Sequence, residues 1–390
     1  MIAKRLALAC VLIAAAAAGL PAQQRPVLYK VDPFWPKLPL PNNWSMQQVV
    51  DLYVDADDHV WIINRPDDAR PDEIGAPRTA CCVKGPEIIE FDPQGNVVSS
   101  WSGSGHPGWP QRLQTIAVDR QKNVWLSGTR PGDGIIKFSR DGKFLWDFGH
   151  RGPKPEPGKT PPPLVENNQQ TDVFVSGVAG FDFDEDAREL YVADTEFINK
   201  RILVFDMDTG RFKRGWGGKG VPLSEIPNQR VPPYDTKGPP PDIKEFNVLH
   251  CIHLSNDGLV YVCDRGNDRV QVFTKQGKFV MQYWIHTSTP ARGAECGGPG
   301  SDKFGPCGTV FNLAFSPAPQ QNFVFVADGA NNKVWIVNRR SGMTVGSIGD
   351  NGRMAGMFHF IDAIAADSKG NIYTGEVETG KRIQKFVPVN

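Results

Sequence analysis

The sequence carries no net charge, because 43 acidic residues balance 43 lysines and arginines among its 390 residues. It has no Lys/Arg stripe and no RNA-binding signature, which excludes nucleic acid as an expected partner. After the first 20 residues it lacks long apolar runs and sustained 3.6-residue apolar periodicity, so neither a membrane span nor long amphipathic helices are expected. It is instead rich in turn formers and aromatics, with 40 Gly, 33 Pro, 22 Phe and 10 Trp, a composition that predicts an all-β domain.

The first 22 residues have the pattern of a secretory signal peptide. Lys4 and Arg5 form a basic head, Leu6 to Leu20 is a short apolar segment, and small residues precede Gln23. Cys10 lies inside the apolar segment, which is not where the cysteine of a lipoprotein is expected. We therefore expect residues 1–22 to be a cleaved leader and residues 23–390 to be one exported domain, either periplasmic or secreted.

Six cysteines remain after the leader, and an even number in an exported chain predicts disulfides. One candidate pair flanks a Gly-rich loop. A second pair is adjacent in the sequence and would need either a strained ring or other partners. A third pair lies on neighbouring predicted strands, where two buried free thiols fit equally well. These pairs are, in that order, Cys296 with Cys307, Cys81 with Cys82, and Cys251 with Cys263.

A short apolar strand with an aromatic residue recurs six times, usually after a polar turn, as in Asn123-Val124-Trp125-Leu126. A third strand such as Val270-Gln271-Val272-Phe273 follows, then a tight Gly-containing turn and a fourth strand. Six four-stranded antiparallel units predict a six-bladed β-propeller. The six aromatic strands are at 59–63, 123–126, 189–194, 259–264, 323–328 and 371–374.

The last unit has no room for a fourth strand, because its third strand, 382–387, ends close to the C-terminus. The extended segment 27–31 precedes the first unit and has no partner there. We expect these two segments to pair and close the ring. Three long insertions, 150–172, 218–244 and 287–308, follow fourth strands and should therefore emerge on one face, over the central channel.

The line Asp264-Arg265-Gly266-Asn267-Asp268-Arg269-Val270-Gln271-Val272-Phe273 closely resembles an NHL repeat, in which the acidic and basic residues mostly hold the strand turn together. Nearly the whole exported chain also resembles secreted bacterial propellers related to peptidyl-α-hydroxyglycine α-amidating lyase. Two matches carry this resemblance: 48–55 leading to Asn64-Arg65, and 246–250 leading to Cys263-Asp264-Arg265. The resemblance implies an all-β, six-bladed propeller of the NHL or TolB-like kind, with a site at the mouth of its channel.

In that lyase three histidines on innermost strands hold zinc, an arginine binds the substrate carboxylate, and a loop tyrosine acts as base. By resemblance, Arg65 matches the arginine and His250 one histidine, whereas Gln114 and Asp362 occupy the other two histidine positions. The set His250, Asp362 and Gln114 could still bind one divalent metal, with a preference shifted from zinc toward harder ions such as calcium. The segment 194–199, where the tyrosine would lie, contains none.

Without that tyrosine, general-base chemistry would need Glu196 or Asp51, so Arg65 and Glu196 are the catalytic candidates. Arg65 and Arg265 both end second strands and could bind an anion, with Asp51 as a further substrate contact. Two functions stay open: a binding propeller for a small carboxylated or peptide-like ligand, or for a protein at the loop face, and a metal-dependent lyase or hydrolase. The loss of two histidines and the tyrosine favours the first. The cysteines alone suggest a third, a redox-associated partner.

Overall fold

A computed structural model describes residues 27–68, 83–154, 156, 158–159, 165–194, 199–229, 231–232, 234–290 and 307–389. Over these residues the chain forms 26 strands and five one-turn 3-10 helices. None of the helices in this part of the chain is long and apolar enough to cross a membrane.

The strands, in chain order, are β1 (Leu28–Asp32), β2 (Trp44–Ser45), β3 (Gln48–Val54), β4 (Val60–Arg65), β5 (Val83–Lys84), β6 (Ile88–Phe91), β7 (Val97–Trp101), β8 (Leu113–Val118), β9 (Val124–Gly128), β10 (Ile135–Phe138), β11 (Phe144–Gly149), β12 (Gly180–Asp184), β13 (Glu189–Asp194), β14 (Arg201–Asp206), β15 (Phe212–Trp216), β16 (Leu249–Leu254), β17 (Leu259–Asp264), β18 (Arg269–Thr274), β19 (Phe279–Trp284), β20 (Asn312–Phe315), β21 (Phe323–Asp328), β22 (Lys333–Asn338), β23 (Thr344–Ile348), β24 (Ile361–Ala366), β25 (Ile372–Glu376) and β26 (Ile383–Val389). The 3-10 helices are Pro41–Asn43, Pro66–Asp68, Gly218–Gly220, Leu223–Glu225 and Arg265–Asn267.

Six four-stranded antiparallel sheets form the blades, which confirms the predicted six-bladed propeller. Their innermost strands contact one another in a closed ring, β3 to β8, β12, β16, β20, β24 and back to β3. The remaining strands, β2 and β5, form a short parallel pair. The blades, from the innermost strand outward, are blade 1 (β3-β4-β6-β7), blade 2 (β8-β9-β10-β11), blade 3 (β12-β13-β14-β15), blade 4 (β16-β17-β18-β19), blade 5 (β20-β21-β22-β23) and blade 6 (β24-β25-β26-β1).

Ring closure occurs as the sequence predicted. Strand β1 pairs antiparallel with β26, in register from Leu28 opposite Val389 to Asp32 opposite Lys385. The first segment of the described chain therefore supplies the outer strand of the last blade. This pairing joins the two ends of the ring and leaves β26 without an open edge.

The recurring acidic turn and aromatic strand have a common structural cause. In blade 2 the Asp119 carboxylate accepts backbone N–H groups of Gln121 and Asn123, at 3.0 and 2.9 Å, which fixes the turn between the first two strands. The same carboxylate accepts the indole N–H of Trp125 at 3.0 Å. The indole then has a partner for its polar atom while its ring is fully buried between blades.

The hydrophobic core lies between adjacent blades. Trp61 of blade 1, for example, packs in one buried cluster with Ile116 and Val124 of blade 2. Full burial of such a side chain stabilises the fold by about 1.5–3 kcal/mol. Because each blade packs on two neighbours, the core is continuous around the ring and holds the innermost strands at a fixed distance from the axis.

Buried ion pairs stabilise the other end of the second strands. One of them lies in the NHL-like segment 264–273. The Asp264 carboxylate accepts from Arg269 Nε at 2.6 Å, and both side chains are fully buried. Blade 3 has the same arrangement, with Asp194 and Arg201 also 2.6 Å apart. The acidic and basic residues of the repeat are therefore structural at these positions.

A disulfide joins Cys251 of β16 to Cys263 of β17, two residues that lie opposite each other in the sheet. The structure thus confirms a disulfide at this pair, and not the alternative of two buried free thiols. Cys307 is also disulfide-bonded. The other cysteines considered above, Cys81, Cys82 and Cys296, lie outside the described residues, as do the predicted leader and Glu196.

The described parts of the three long insertions lie on one face of the disc, as predicted. Their described parts bond to residues that follow the second strands of blades 3, 4 and 5. Asn168 accepts from the backbone N–H of Lys200 at 2.8 Å, and the Tyr234 hydroxyl donates to the Asp268 carboxylate. The Asn331 side-chain amide donates to the Thr289 hydroxyl at 2.9 Å. This face, where first strands begin and second strands end, is called the mouth face below.

Candidate functional site

A β-bulge interrupts four of the six innermost strands near the mouth face. In β16 the pairing register shifts between Leu249 and Cys251, and in β24 it shifts between Ile361 and Ala363. A bulge inserts one extra residue and redirects the chain there. The extra residues are His250 in blade 4 and Asp362 in blade 6. Equivalent shifts occur in β3 at Val50 and in β8 at a segment that includes Gln114.

The His250 imidazole is buried and held in one tautomer. Its Nδ1 lies 2.6 Å from the backbone oxygen of Phe311, and because a carbonyl only accepts, Nδ1 carries the proton. Nε2 is then an acceptor, and it lies 3.7 Å from Asp362 Oδ1. Burial, followed by the nearby Arg265 and Arg65, lowers the pKa of His250 to about 3, so the ring is neutral at physiological pH.

Two arginines form the rim of the channel mouth. Arg65 ends β4, and its guanidinium donates to the backbone oxygen of Leu113 and to Gln114 Oε1, the latter at 2.8 Å. Arg265 directly follows β17, and its guanidinium carbon lies 4.0 Å above the centre of the Phe311 ring. These contacts fix guanidiniums from blades 1 and 4 at the same end of the channel.

A chain of polar side chains crosses the channel beneath the rim. The Asn312 amide donates to Asp51 Oδ1 at 3.1 Å, and the backbone N–H of Ile116 donates to Asp51 Oδ2 at 3.0 Å. Asn312 Oδ1 lies 2.8 Å from His253 Nε2, whose Nδ1 faces Asp182 at 3.9 Å. Burial, with a smaller effect of the Asp362 charge, raises the pKa of Asp51 to about 7. The chain links residues of blades 1 to 5.

A cavity of about 20 Å³ lies beside this polar chain. Its lining includes Asp51, Gln114, His250, His253 and Asn312, together with apolar atoms. A volume of that size holds about one water-sized group. The cavity is therefore a small space with polar side chains, next to Gln114 and His250 of the mouth.

The predicted metal ligands do not fit a divalent cation as they are arranged here. The oxygen that Gln114 would offer a metal accepts instead from Arg65, which places a guanidinium beside that ligand position. Both rim arginines also disfavour positive charge on His250. Of the three predicted ligands, only His250 and Asp362 face each other, with Nε2 of the imidazole 3.7 Å from Oδ1 of the carboxylate.

A second group of possible ligands, Asp55, His59 and Glu90, lies away from the mouth. The carboxylates there already have cationic partners: Lys122 lies 2.9 Å from Asp55, and Arg140 lies 2.7 Å from Glu90. This group is an ion-pair network between blades 1 and 2.

Most of the sequence-predicted site residues lie together. The structure brings them to one end of the channel, where all but the two arginines are at most 9% exposed. They are Arg65, Gln114, His250, Asp362, Asp51 and Arg265. Sequence reasoning missed Asn312 and Phe311, which complete the polar chain and hold His250. The available signal was the position of Asn312, a polar residue that begins the otherwise apolar inner strand β20.

No family model matches the sequence. Among curated proteins, NHL repeat-containing protein 3 of Homo sapiens is 24% identical over 312 residues, which cover 78% of this chain and 74% of that protein. The Mus musculus protein of the same name is 24% identical over 234 residues, covering 59% of this chain and 55% of that protein. These relatives confirm the resemblance to NHL-repeat proteins.

Solved structures with this architecture are remote in sequence. An auxiliary nutrient binding protein from Bacteroides thetaiotaomicron is 11% identical and has a TM-score of 0.53, with 88% of this chain and 69% of that chain covered. A virginiamycin B lyase from Staphylococcus aureus is 12% identical and has a TM-score of 0.44, covering 93% of this chain and 89% of that chain. The first of these likenesses supports the fold.

Proposed function

We propose that the protein is an exported binding propeller whose channel mouth binds a small carboxylated or peptide-like ligand. The observation that carries the proposal is the pair Arg65 and Arg265, fixed at one end of the channel by strands from blades 1 and 4. Guanidinium groups match the planar geometry of a carboxylate and hold it by parallel hydrogen bonds. The cationic field they create helps to lower the pKa of His250.

The surroundings of the two arginines favour an anion over a cation. His250 is neutral, so the rim has two fixed positive groups and an imidazole that does not add a third. The Phe311 ring beneath Arg265 and the backbone contacts of Arg65 hold the guanidiniums in place before a ligand arrives. Such preorganisation lowers the entropic cost of binding. A nutrient-binding protein of the same fold class is compatible with this proposal.

Binding assays with single-site variants test the proposal. Calorimetry of the purified protein against small carboxylates and their methyl esters should detect binding of the carboxylates only. Arg65→Gln and Arg265→Gln should each weaken binding about tenfold or more, because each removes one charged partner of a hydrogen-bonded charge pair. Arg211→Gln, on an exposed turn away from the mouth face, should leave affinity unchanged. Equal binding of acids and esters, or loss in the Arg211 variant alone, would contradict the proposal.

A metal-dependent lyase or hydrolase is the second candidate function. The 3.7 Å separation of His250 Nε2 and Asp362 Oδ1 favours it, because the two groups could share an ion. The contact between Arg65 and Gln114 opposes it. Metal analysis of the same purified samples separates the candidates: stoichiometric zinc or calcium that is lost in His250→Ala and Asp362→Ala would favour the lyase or hydrolase, and a folded, metal-free protein that binds carboxylates would favour the first.

A further inference from the structure

Two apolar residues at the mouth face have a left-handed backbone. Val248 directly precedes β16 and has a φ of 56°, and Phe360 directly precedes β24 and has a φ of 71°. Each lies two positions before the extra residue of the bulge in its strand, which is His250 or Asp362. Glycine adopts this conformation without steric cost, whereas a β-branched or bulky residue is rarely found in it. The use of large apolar residues at the same position of blades 4 and 6 favours a role for their side chains.

The Phe360 ring lies beside the cationic rim of the mouth. Its centre is 5.8 Å from the centre of the Phe311 ring, in an edge-to-face arrangement with an interplanar angle of 84°. The Phe311 ring also lies 4.0 Å from the guanidinium carbon of Arg265 and 5.4 Å from the His250 imidazole. Phe360 and Arg265 therefore adjoin one and the same ring. A short carbon chain attached to a carboxylate can reach from the guanidinium to Phe360.

The protein covers Phe360 only in part. The ring packs against the buried cluster that includes Val50 and Val377, and its backbone is held at both polar groups. The N–H of Phe360 donates to the Asn332 side chain, and its carbonyl accepts from the N–H of Val377 at 3.0 Å. The side chain nevertheless stays half-buried, as does that of Val248. Apolar surface that remains exposed at a binding site gains free energy when a ligand covers it.

We propose that the ligand is a carboxylate with an apolar group close to it, whose carboxylate binds Arg65 and Arg265 while the apolar group covers Phe360. This inference rests on the proposed carboxylate-binding function and specifies its ligand class. Val248, at the corresponding position of blade 4, provides a second apolar contact. Phe360 is then the specificity-determining residue of the mouth, because it selects the substituent and not the charge. Small hydrophilic carboxylates leave its ring exposed and bind more weakly.

A series of acids tests the inference without any mutation. The probes are acetate, butyrate, hexanoate and 3-phenylpropionate, each titrated by calorimetry into the purified protein at one pH and one ionic strength. Full burial of a methylene group contributes about fourfold in affinity, so even partial burial of the chain should make hexanoate bind about tenfold or more tightly than acetate. Equal affinities across the series would overturn the inference and leave the proposed function standing. Absence of binding by every acid in the series would overturn both.

The C-terminus of a peptide with an apolar last residue presents the same chemistry as a free apolar acid. N-acetyl-L-phenylalanine, which mimics such a C-terminus, distinguishes the two sources when it is compared with 3-phenylpropionate. Tighter binding of the acetylated residue would support the inference with a peptide as the source. Weaker binding would support it with a free acid as the source.

Variants locate the apolar group. Phe360→Ala should reduce the preference for hexanoate over acetate to about threefold or less, with a small effect on acetate, because only the apolar contact is lost. A purely structural role of Phe360 would weaken the binding of all acids equally and leave the preference unchanged. Val248→Ala should act in the same direction, and it serves as the second variant if the first is unstable in urea.

Phe279→Ala is the matched control. Phe279 is also half-buried, and its ring packs edge to face on Phe273 with the centres 5.9 Å apart, but it lies in the outer strand β19. This variant should keep the full preference for hexanoate. A preference that is unchanged in both Phe360→Ala and Val248→Ala, or one that is lost equally in Phe279→Ala, would overturn the inference.

Discussion

At the scale of single residues, the mouth face contains a carboxyl group that resists ionisation. Asp268 is fully buried, has a left-handed φ of 52° and accepts the hydroxyl of Tyr234. Burial raises its pKa to about 8. In the unfolded chain the same group titrates near a pKa of about 3.9. The folded protein therefore holds a proton that the unfolded chain has already lost over this range of pH.

This difference predicts a pH dependence of stability. Between about pH 4 and pH 8 unfolding releases the Asp268 proton, so the free energy of unfolding falls as pH rises, by at most about 1.4 kcal/mol per pH unit. Asp268→Asn cannot ionise and tolerates the left-handed backbone. Urea unfolding of both proteins from pH 5 to pH 8 should show the variant gaining stability relative to the parent as pH rises. Parallel stability curves would show that Asp268 does not titrate in this way.

Residue types in the repeat predicted part of the site. Arg65 and His250 were found because neighbouring residues matched a known pattern, and the structure places both at the mouth. Asn312 and Phe311 had no such pattern, because their roles depend on a hydrogen bond across the channel and on a backbone carbonyl. A backbone oxygen leaves no trace in residue identity. The missing residues were thus those that act through geometry between blades.

At the scale of elements, the repeat predicted the strands but not the bulges. The aromatic strand and its turn are encoded locally, by an acidic residue and an indole six positions later, as in Asp119 and Trp125. A bulge depends instead on the pairing register between β16 and β17. The alternation of apolar residues along the strands does not determine this register to within one residue. His250 and His253 are three residues apart. Both line the cavity because His250 is the extra residue of the bulge, which interrupts the regular alternation of side chains along β16.

The hairpin that contains this bulge is cross-linked by Cys251 and Cys263, 12 residues apart. Cys251→Ala with Cys263→Ala should lower the free energy of unfolding by about 2–4 kcal/mol, because the unfolded chain regains the freedom that the bridge removes. Each single variant breaks the same bridge, so each should lose nearly as much as the double variant. Urea unfolding of the three proteins measures this. Additive losses would indicate that packing of the two side chains dominates.

The same variants report on the site. Cys251 directly follows His250, and the bridge therefore restrains the residue next to the bulge. Ligand affinity should fall in the double variant at temperatures where the protein remains folded. Unchanged affinity would show that the Phe311 carbonyl alone is sufficient to hold His250.

At the scale of the whole molecule, the sequence predicted the architecture almost completely. Six repeats, an unpartnered first strand and an incomplete last unit determine a closed ring, and the pairing of β1 with β26 follows from them. Propeller geometry then brings the starts of first strands and the ends of second strands to one face. Distant residues such as His250 and Asp362 come within 3.7 Å of each other for that reason, without any local signal in the chain between them.

The central claim is that the mouth of this ring binds a carboxylated ligand, and a crystal structure of the protein with its tightest-binding small carboxylate tests it most directly. The ligand carboxylate should lie within hydrogen-bond distance of Arg65 and Arg265, at the mouth face. A ligand bound away from the mouth face, or a metal ion held by His250, Asp362 and Gln114 in its place, would contradict the account.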